Sequence, residues 1–105
     1  MTLKVRYVQS GGFAGLTRAA TIDASTLAPA AAAVVKRLVK AAPLAKLKPA
    51  KTEGVADLVQ HDFAIETDAG SHHLSFDDLT LPTALKPLVA FLARRLKPLG
   101  QQRRG

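Results

Sequence analysis

Leu3, Val5 and Tyr7 alternate with Lys4 and Arg6, the period of a strand with one face buried. A second period-two run places Leu16, Ala20 and Ile22 on one side and Thr17, Ala19 and Thr21 on the other. Between them lies Gln9-Ser10-Gly11-Gly12-Phe13-Ala14-Gly15, with three glycines in five residues. Glycines tolerate the positive φ angles of a tight or bulged reversal, so the segment predicts a β-hairpin.

The period then changes. Asp23 and Ser25 are both good helix N-caps, and Leu27, Ala31, Val34, Leu38 and Ala41 follow at three- and four-residue steps. Lys36, Arg37 and Lys40 fall mostly on the other side, which predicts an amphipathic helix of about five turns, closed by Pro43. Residues 42–56 carry no clear period; Pro43, Pro49, Gly54 and several charges mark them as a long connection, of the kind that is often functional.

Val59, His61, Phe63 and Ile65 alternate with Gln60, Asp62, Ala64 and Glu66, predicting a third strand. Asp68-Ala69-Gly70-Ser71 is a turn signal, and Leu74 and Phe76 share one side of a fourth strand. Pairing Asp68 with Ser71 sets Ile65 opposite Leu74 and Phe63 opposite Phe76, with the large apolar groups on one face. Beyond Asp77-Asp78, Thr80 and Pro82 suit a helix start. Leu85, Leu88, Val89, Leu92 and Leu96 form the stripe of a second helix, with Phe91 beside it and Pro87 near its beginning. Lys97, Pro98 and Gly100 stop it.

The order predicts an α+β fold: a four-stranded, largely antiparallel sheet with two helices on one face, in the order ββαββα. Residues 1–99 form one domain, and residues 100–105 are expected to be a disordered basic tail. Aromatics are only 5% of a chain that is 48% apolar, so the core must be built mainly from Leu, Val, Ile and Ala. There is no cysteine, which excludes disulfides, thiolate nucleophiles and cysteine-zinc sites. No apolar run is long enough to cross a membrane, and Met1 to Arg6 alternates where a signal peptide would be continuously apolar. A cytoplasmic location is the expectation, with export by another route left open.

The net charge of +7 is unevenly placed. Residues 1–51 hold nine Lys and Arg against the single acid Asp23, while residues 52–105 hold six against seven acids. An acidic partner suits this balance, whether a protein surface or nucleic acid; so does a merely solubilising surface. A nucleic-acid module would use Lys4, Arg6 and Arg18 on the outer face of the first hairpin, with further patches at Lys36, Arg37 and Lys40 and near the C-terminus. Only Tyr7 and Phe13 are available to stack on bases, which weakens that reading.

Catalytic constellations are poorly supported. His72 and His73 are adjacent in a strand and point to opposite faces. His61 and His72 can share a face, with Asp78 roughly across from His61, but histidines on sheet surfaces explain the pattern better than a metal site. Asp77 and Asp78 are accounted for by helix capping and the helix dipole. The glycine segment is followed by a strand where a nucleotide fingerprint requires a helix. No catalytic residue, metal or cofactor is expected.

The glycine segment carries the most information. Phe13 sits among small residues at a hairpin tip, either folding back over the core or standing outward as an anchor for a partner's pocket. Ser10-Gly11-Gly12-Phe13-Ala14-Gly15, straight after a basic strand and before an Arg-bearing strand ending near Asp23, resembles the opening of emfourin-type proteins. Leu81-Pro82-Thr83-Ala84-Leu85-Lys86-Pro87-Leu88 resembles their closing helix, with Thr83 in place of a frequent second proline. The resemblance implies a non-enzymatic, reversible inhibitor of thermolysin-like zinc metallopeptidases such as protealysin. On that reading the peptidase-binding residues are Arg6, Ser10, Gly11, Gly12, Phe13, Ala14, Gly15 and Arg18. The partner is the peptidase, with no membrane role, and the free protein is expected to be a monomer; the small basic nucleic-acid-binding module is the alternative.

Overall fold

The computed structural model describes residues 2–11, 17–55 and 58–98. Its strands are β1 (Leu3–Gly11), β2 (Arg18–Asp23), β3 (Val59–Thr67), β4 (Gly70–Asp77) and β5 (Lys97–Pro98); its helices are α1 (Pro29–Ala41) and α2 (Lys86–Ala93). The strands form one antiparallel sheet in the order β4-β3-β1-β2-β5. The α+β class and the two helices are as expected. The sheet has five strands instead of four, however, and the order is ββαββαβ. The added strand is two residues, Lys97 and Pro98, laid along Ala19 and Arg18 at the free edge of β2. So short a segment carries no alternation, and proline is tolerated at an edge.

β1 is the centre of the sheet. It pairs with β2 from Lys4 to Gln9 and with β3 from Leu3 to Gly11. Leu3, Val5 and Tyr7 are buried, as their alternation requires, and face Ile22, Phe63, Ile65, Leu74, Phe76 and the two helices. The opposite sheet face carries Lys4, Arg6, Thr21, Glu66 and His73 around a shallow groove of about 250 Å³.

Three local expectations are corrected. α1 has 13 residues and begins at Pro29, because proline favours the first helical turn and forces Ala28 before it into an extended conformation. Asp23 instead caps a separate 3₁₀ turn, Ala24–Thr26, accepting from the Ser25 amide at 2.9 Å and its hydroxyl at 2.7 Å. The face that α1 buries is Ala32, Val35 and Val39, one residue round from the expected Ala31, Val34 and Leu38. Both stripes are apolar, so periodicity alone does not choose between them. In the second hairpin Thr67 pairs with Gly70, which sets Phe63 opposite Leu74 and His61 opposite Phe76. That register is two residues from the expected one, and a shift of two keeps every side chain on its face.

α2 follows its predicted stripe as far as Leu92, with Leu88 and Leu92 fully buried and Leu85 buried in the 3₁₀ turn (Thr83–Leu85) that leads into it, but it ends at Ala93, so the expected last turn to Leu96 is not helical. Pro87 lies in the helix's first turn, where its missing N–H costs nothing, while Thr80 is used elsewhere and caps nothing here. Leu88→Ala should cost about 2–5 kcal/mol, because the closed core leaves little room to collapse around the lost atoms. Urea or thermal unfolding reads this directly; an unchanged midpoint would refute the packing described.

Candidate functional site

The glycine segment leaves the sheet from its middle. The last β1–β2 rung is Gln9 with Arg18, but β1 runs on along β3, pairing Ser10 with Gln60 and Gly11 with Val59. Gly11 has φ +86°, and a Cβ there would stand 2.7 Å from the carbonyl oxygen of Leu58. Both facts demand glycine at this position. Gly12, Phe13, Ala14, Gly15 and Leu16 lie outside the described residues, so the expected outward placing of Phe13 lies there too. What the structure describes is the pair of posts, Gly11 and Thr17, between which these residues run.

Under those posts runs a line of side-chain hydrogen bonds. The Arg18 guanidinium donates to Oε1 of Gln9, and Nε2 of Gln9 donates to the Tyr7 hydroxyl at 3.1 Å. The Tyr7 hydroxyl lies 2.6 Å from Nδ1 of His61, and Nε2 of His61 lies 2.7 Å from Oδ1 of Asp78. An uncharged imidazole fits these contacts in one way. Arg18 and the Gln9 amide are obligatory donors, so Tyr7 donates to Nδ1 and the neutral imidazole donates from Nε2 to the Asp78 carboxylate. The line starts at the first residue of β2 and ends in the turn after β4.

Tyr7 is fully buried, and its ring stacks on His61 at 5.9 Å and on Phe63 at 5.1 Å. Burial pushes its hydroxyl pKa up, opposed by the hydrogen bond from Gln9. A phenol held neutral and closed off from solvent cannot reach a substrate. The Tyr-His-Asp geometry is therefore a brace, and it accounts for the polar residue in the otherwise apolar His61, Phe63, Ile65 series. His72 and His73 lie on opposite faces, as adjacency in a strand requires. Among the described residues no group of His, Asp and Glu could hold a metal ion.

Asp77 is the second fastening. It is completely buried, and its carboxylate accepts from the amides of Leu79 at 2.8 Å and Thr80 at 3.0 Å and from the amide and hydroxyl of Thr52. The Thr80 hydroxyl donates to the carbonyl of Ala50 at 2.6 Å, and the Ala50 amide donates to the Ser75 carbonyl at 3.0 Å. The long connection expected over residues 42–56 is thus tied to the end of β4. Helix capping, the expected role of Asp77, is not what it does. The clue available in the sequence was Asp77-Asp78-Leu79-Thr80, in which an aspartate can accept from backbone amides two and three residues on.

The basic residues do not gather on one surface. Arg6 lies on the open sheet face, where its guanidinium donates to the Thr21 hydroxyl at 3.4 Å. Arg18 pairs with Gln9 and so lies on the helix-covered side, at the sheet's end. The expectation that Lys4, Arg6 and Arg18 share the outer face is corrected, because the register puts Arg18 in phase with Tyr7 and Gln9. Lys36, Arg37 and Lys40 belong to α1. No helix among the described residues is long and apolar enough to cross a membrane.

A sequence model of the Emfourin family matches residues 7–93, a span holding the glycine segment, both of its posts, the hydrogen-bonded line and both helices. No curated protein and no solved structure matches the chain.

The Thr52 amide, foremost among several donors, holds the Asp77 carboxyl below its usual range despite burial, and bonds from Ser25 do the same for Asp23. A depressed folded pKa stabilises the fold above the unfolded value of about 3.9 and loses that stabilisation as pH falls through the folded value. The urea midpoint should therefore drop as pH is lowered below about 4, and Asp77→Asn should flatten that drop. A midpoint level down through pH 2, or an unchanged slope in the variant, would contradict the role given to Asp77.

Proposed function

Because the chain belongs to the emfourin family, an inhibitor family whose name implies a peptidase partner, we propose that it inhibits thermolysin-like zinc metallopeptidases through the glycine-rich segment between β1 and β2. The observation that carries the reading is the family match across that segment and both strands that hold it. The braced posts support it. The strand ends that carry the segment, held at Gly11 by β3 and at Arg18 by the Gln9–Tyr7–His61 line, lose little freedom on binding.

Such peptidases cut before large apolar residues, and the segment offers Gly12-Phe13 and Gly15-Leu16. On this proposal Phe13 fills the primed-side apolar pocket, and Ser10, Gly11, Gly12, Ala14 and Gly15 let the backbone approach the enzyme's zinc closely. The proposal requires the scissile-like bond to resist attack once bound. Arg18 at the loop's foot and Arg6 on the open face supply positive charge that draws the protein to an acidic cleft. The chain itself acts by binding and performs no reaction.

Titrating a thermolysin-like peptidase with the protein should abolish peptide hydrolysis stoichiometrically, with little effect of moderate salt. Full peptidase activity, together with gel-shift binding to nucleic acid that weakens steeply with salt, would replace this reading with the nucleic-acid module. Phe13→Ala should weaken inhibition by about 2 kcal/mol or more, roughly thirtyfold in the inhibition constant. An unchanged constant would remove Phe13 from the interface.

A further inference from the structure

Among the described residues two large hydrophobic side chains stand well exposed, Leu79 at 66% and Val55 at 49%. Both occur at the glycine end of the sheet. Ser10 pairs with Gln60, and Gln60 pairs with Asp77, so Asp77 lies two strands from the glycine segment, about 10 Å. Leu79 follows two residues later, in the turn between β4 and the 3₁₀ turn at Thr83–Leu85. Val55 lies between Thr52, which is bonded to Asp77, and Leu58, whose carbonyl touches the space over Gly11.

Leu79 is exposed without being loose. Its amide donates to Oδ1 of Asp77 at 2.8 Å, and the Leu81 amide donates to the Asp77 carbonyl at 2.9 Å. Leu81 packs against the core while Leu79 points away from it. On the other side of Leu79, Asp78 is held by His61. The turn therefore spends a buried carboxylate and a buried imidazole on fixing three residues, the middle one of which presents an isolated leucine to solvent. Fastening of this kind suits contact with a partner: a side chain held in place before binding gives up little entropy on binding, and one that fills a desolvated pocket acts as an anchor.

We infer that Leu79 is a second anchor, docking against the apolar wall of the peptidase cleft while the glycine segment occupies the cleft itself. The inference rests on the inhibitor reading above. It adds a surface that the glycine segment does not contain, and it makes the binding face a composite of the β1–β2 loop and the turn after β4. The Tyr7–His61–Asp78 line ties β1 and β3 to the turn that carries Leu79.

The test compares inhibition constants of the full chain and three variants against one thermolysin-like peptidase: Leu79→Ser, Leu79→Asp and Ala69→Asp. Ala69 is exposed in the β3–β4 turn, at the opposite end of the sheet, since Leu3 pairs with Thr67 there. Both Leu79 variants should raise the constant about tenfold or more, while Ala69→Asp leaves it within twofold. Thermal midpoints should match the parent chain, because Leu79 contributes little to the core. If the parent inhibits and Leu79→Ser and Leu79→Asp stay within twofold, the second anchor is wrong and the inhibitor reading stands. An equal rise for Ala69→Asp would show a general charge or folding effect and also overturn the anchor. If the parent chain does not inhibit, the inhibitor reading fails and this inference with it.

Discussion

A buried histidine with both ring nitrogens hydrogen-bonded holds the glycine end of the described sheet together. Neutral His61 needs a donor at Nδ1 and an acceptor at Nε2, and Tyr7 and Asp78 supply them at 2.6 and 2.7 Å. Tyr7 is free to donate because Gln9, itself oriented by Arg18, gives its own proton to the phenol oxygen. Losing the Tyr7 hydroxyl or Asp78 leaves a buried His61 nitrogen unpaired, at a cost of about 1–3 kcal/mol, which is a large share of a small domain's stability. The line crosses β2, β1 and β3 and reaches the turn after β4. It links three adjacent strands to that turn.

The rest of the fold sets up that condition. β1 must be central, so that Tyr7 can touch residues of both neighbouring strands. The helices must close the same face, since only a site without water makes a neutral, fully paired imidazole worth more than a hydrated one. Leu88, Leu92 and Val35, all fully buried, provide that closure. At the neighbouring corner Asp77 does with a charge what His61 does without one. A carboxylate removed from water is tolerated there because amides and hydroxyls of Thr52, Leu79 and Thr80 surround it.

Much of this was legible in the residues. Alternation in Leu3-Val5-Tyr7 and in His61-Phe63-Ile65 marked the strands and their buried sides, and the Leu85-Leu88-Leu92 stripe marked α2. The glycine hexapeptide pointed to the family. Other features were hidden for physical reasons. α1 has two equivalent apolar stripes, so its buried face is decided by what it packs against. β5 is too short to show a period and exists because the end of α2 delivers it to the edge of β2. A two-residue change of register in the second hairpin leaves every face unchanged, so hydrophobicity cannot fix it. Arg18 shares the period-two phase of Leu16, Ala20 and Ile22, so its face was legible; its charge suggested the outer side, but at the end of the sheet a long cation can sit on the helix-covered face and still reach solvent. Asp77 and Asp78 resembled ordinary capping acids; their partners, Thr52 and His61, are distant in sequence and are brought close only by the fold.

The central claim is that the Tyr7 hydroxyl couples the posts of the glycine segment to the β4 turn. Amide hydrogen exchange in a Tyr7→Phe variant tests it most directly, since phenylalanine keeps the ring and removes only the hydroxyl. The account predicts that protection falls selectively around Gly11, Arg18 and Leu79, while the Thr67–Gly70 turn at the far end keeps its protection. Equal loss at both ends, or no loss beside Gly11 and Arg18, would contradict it.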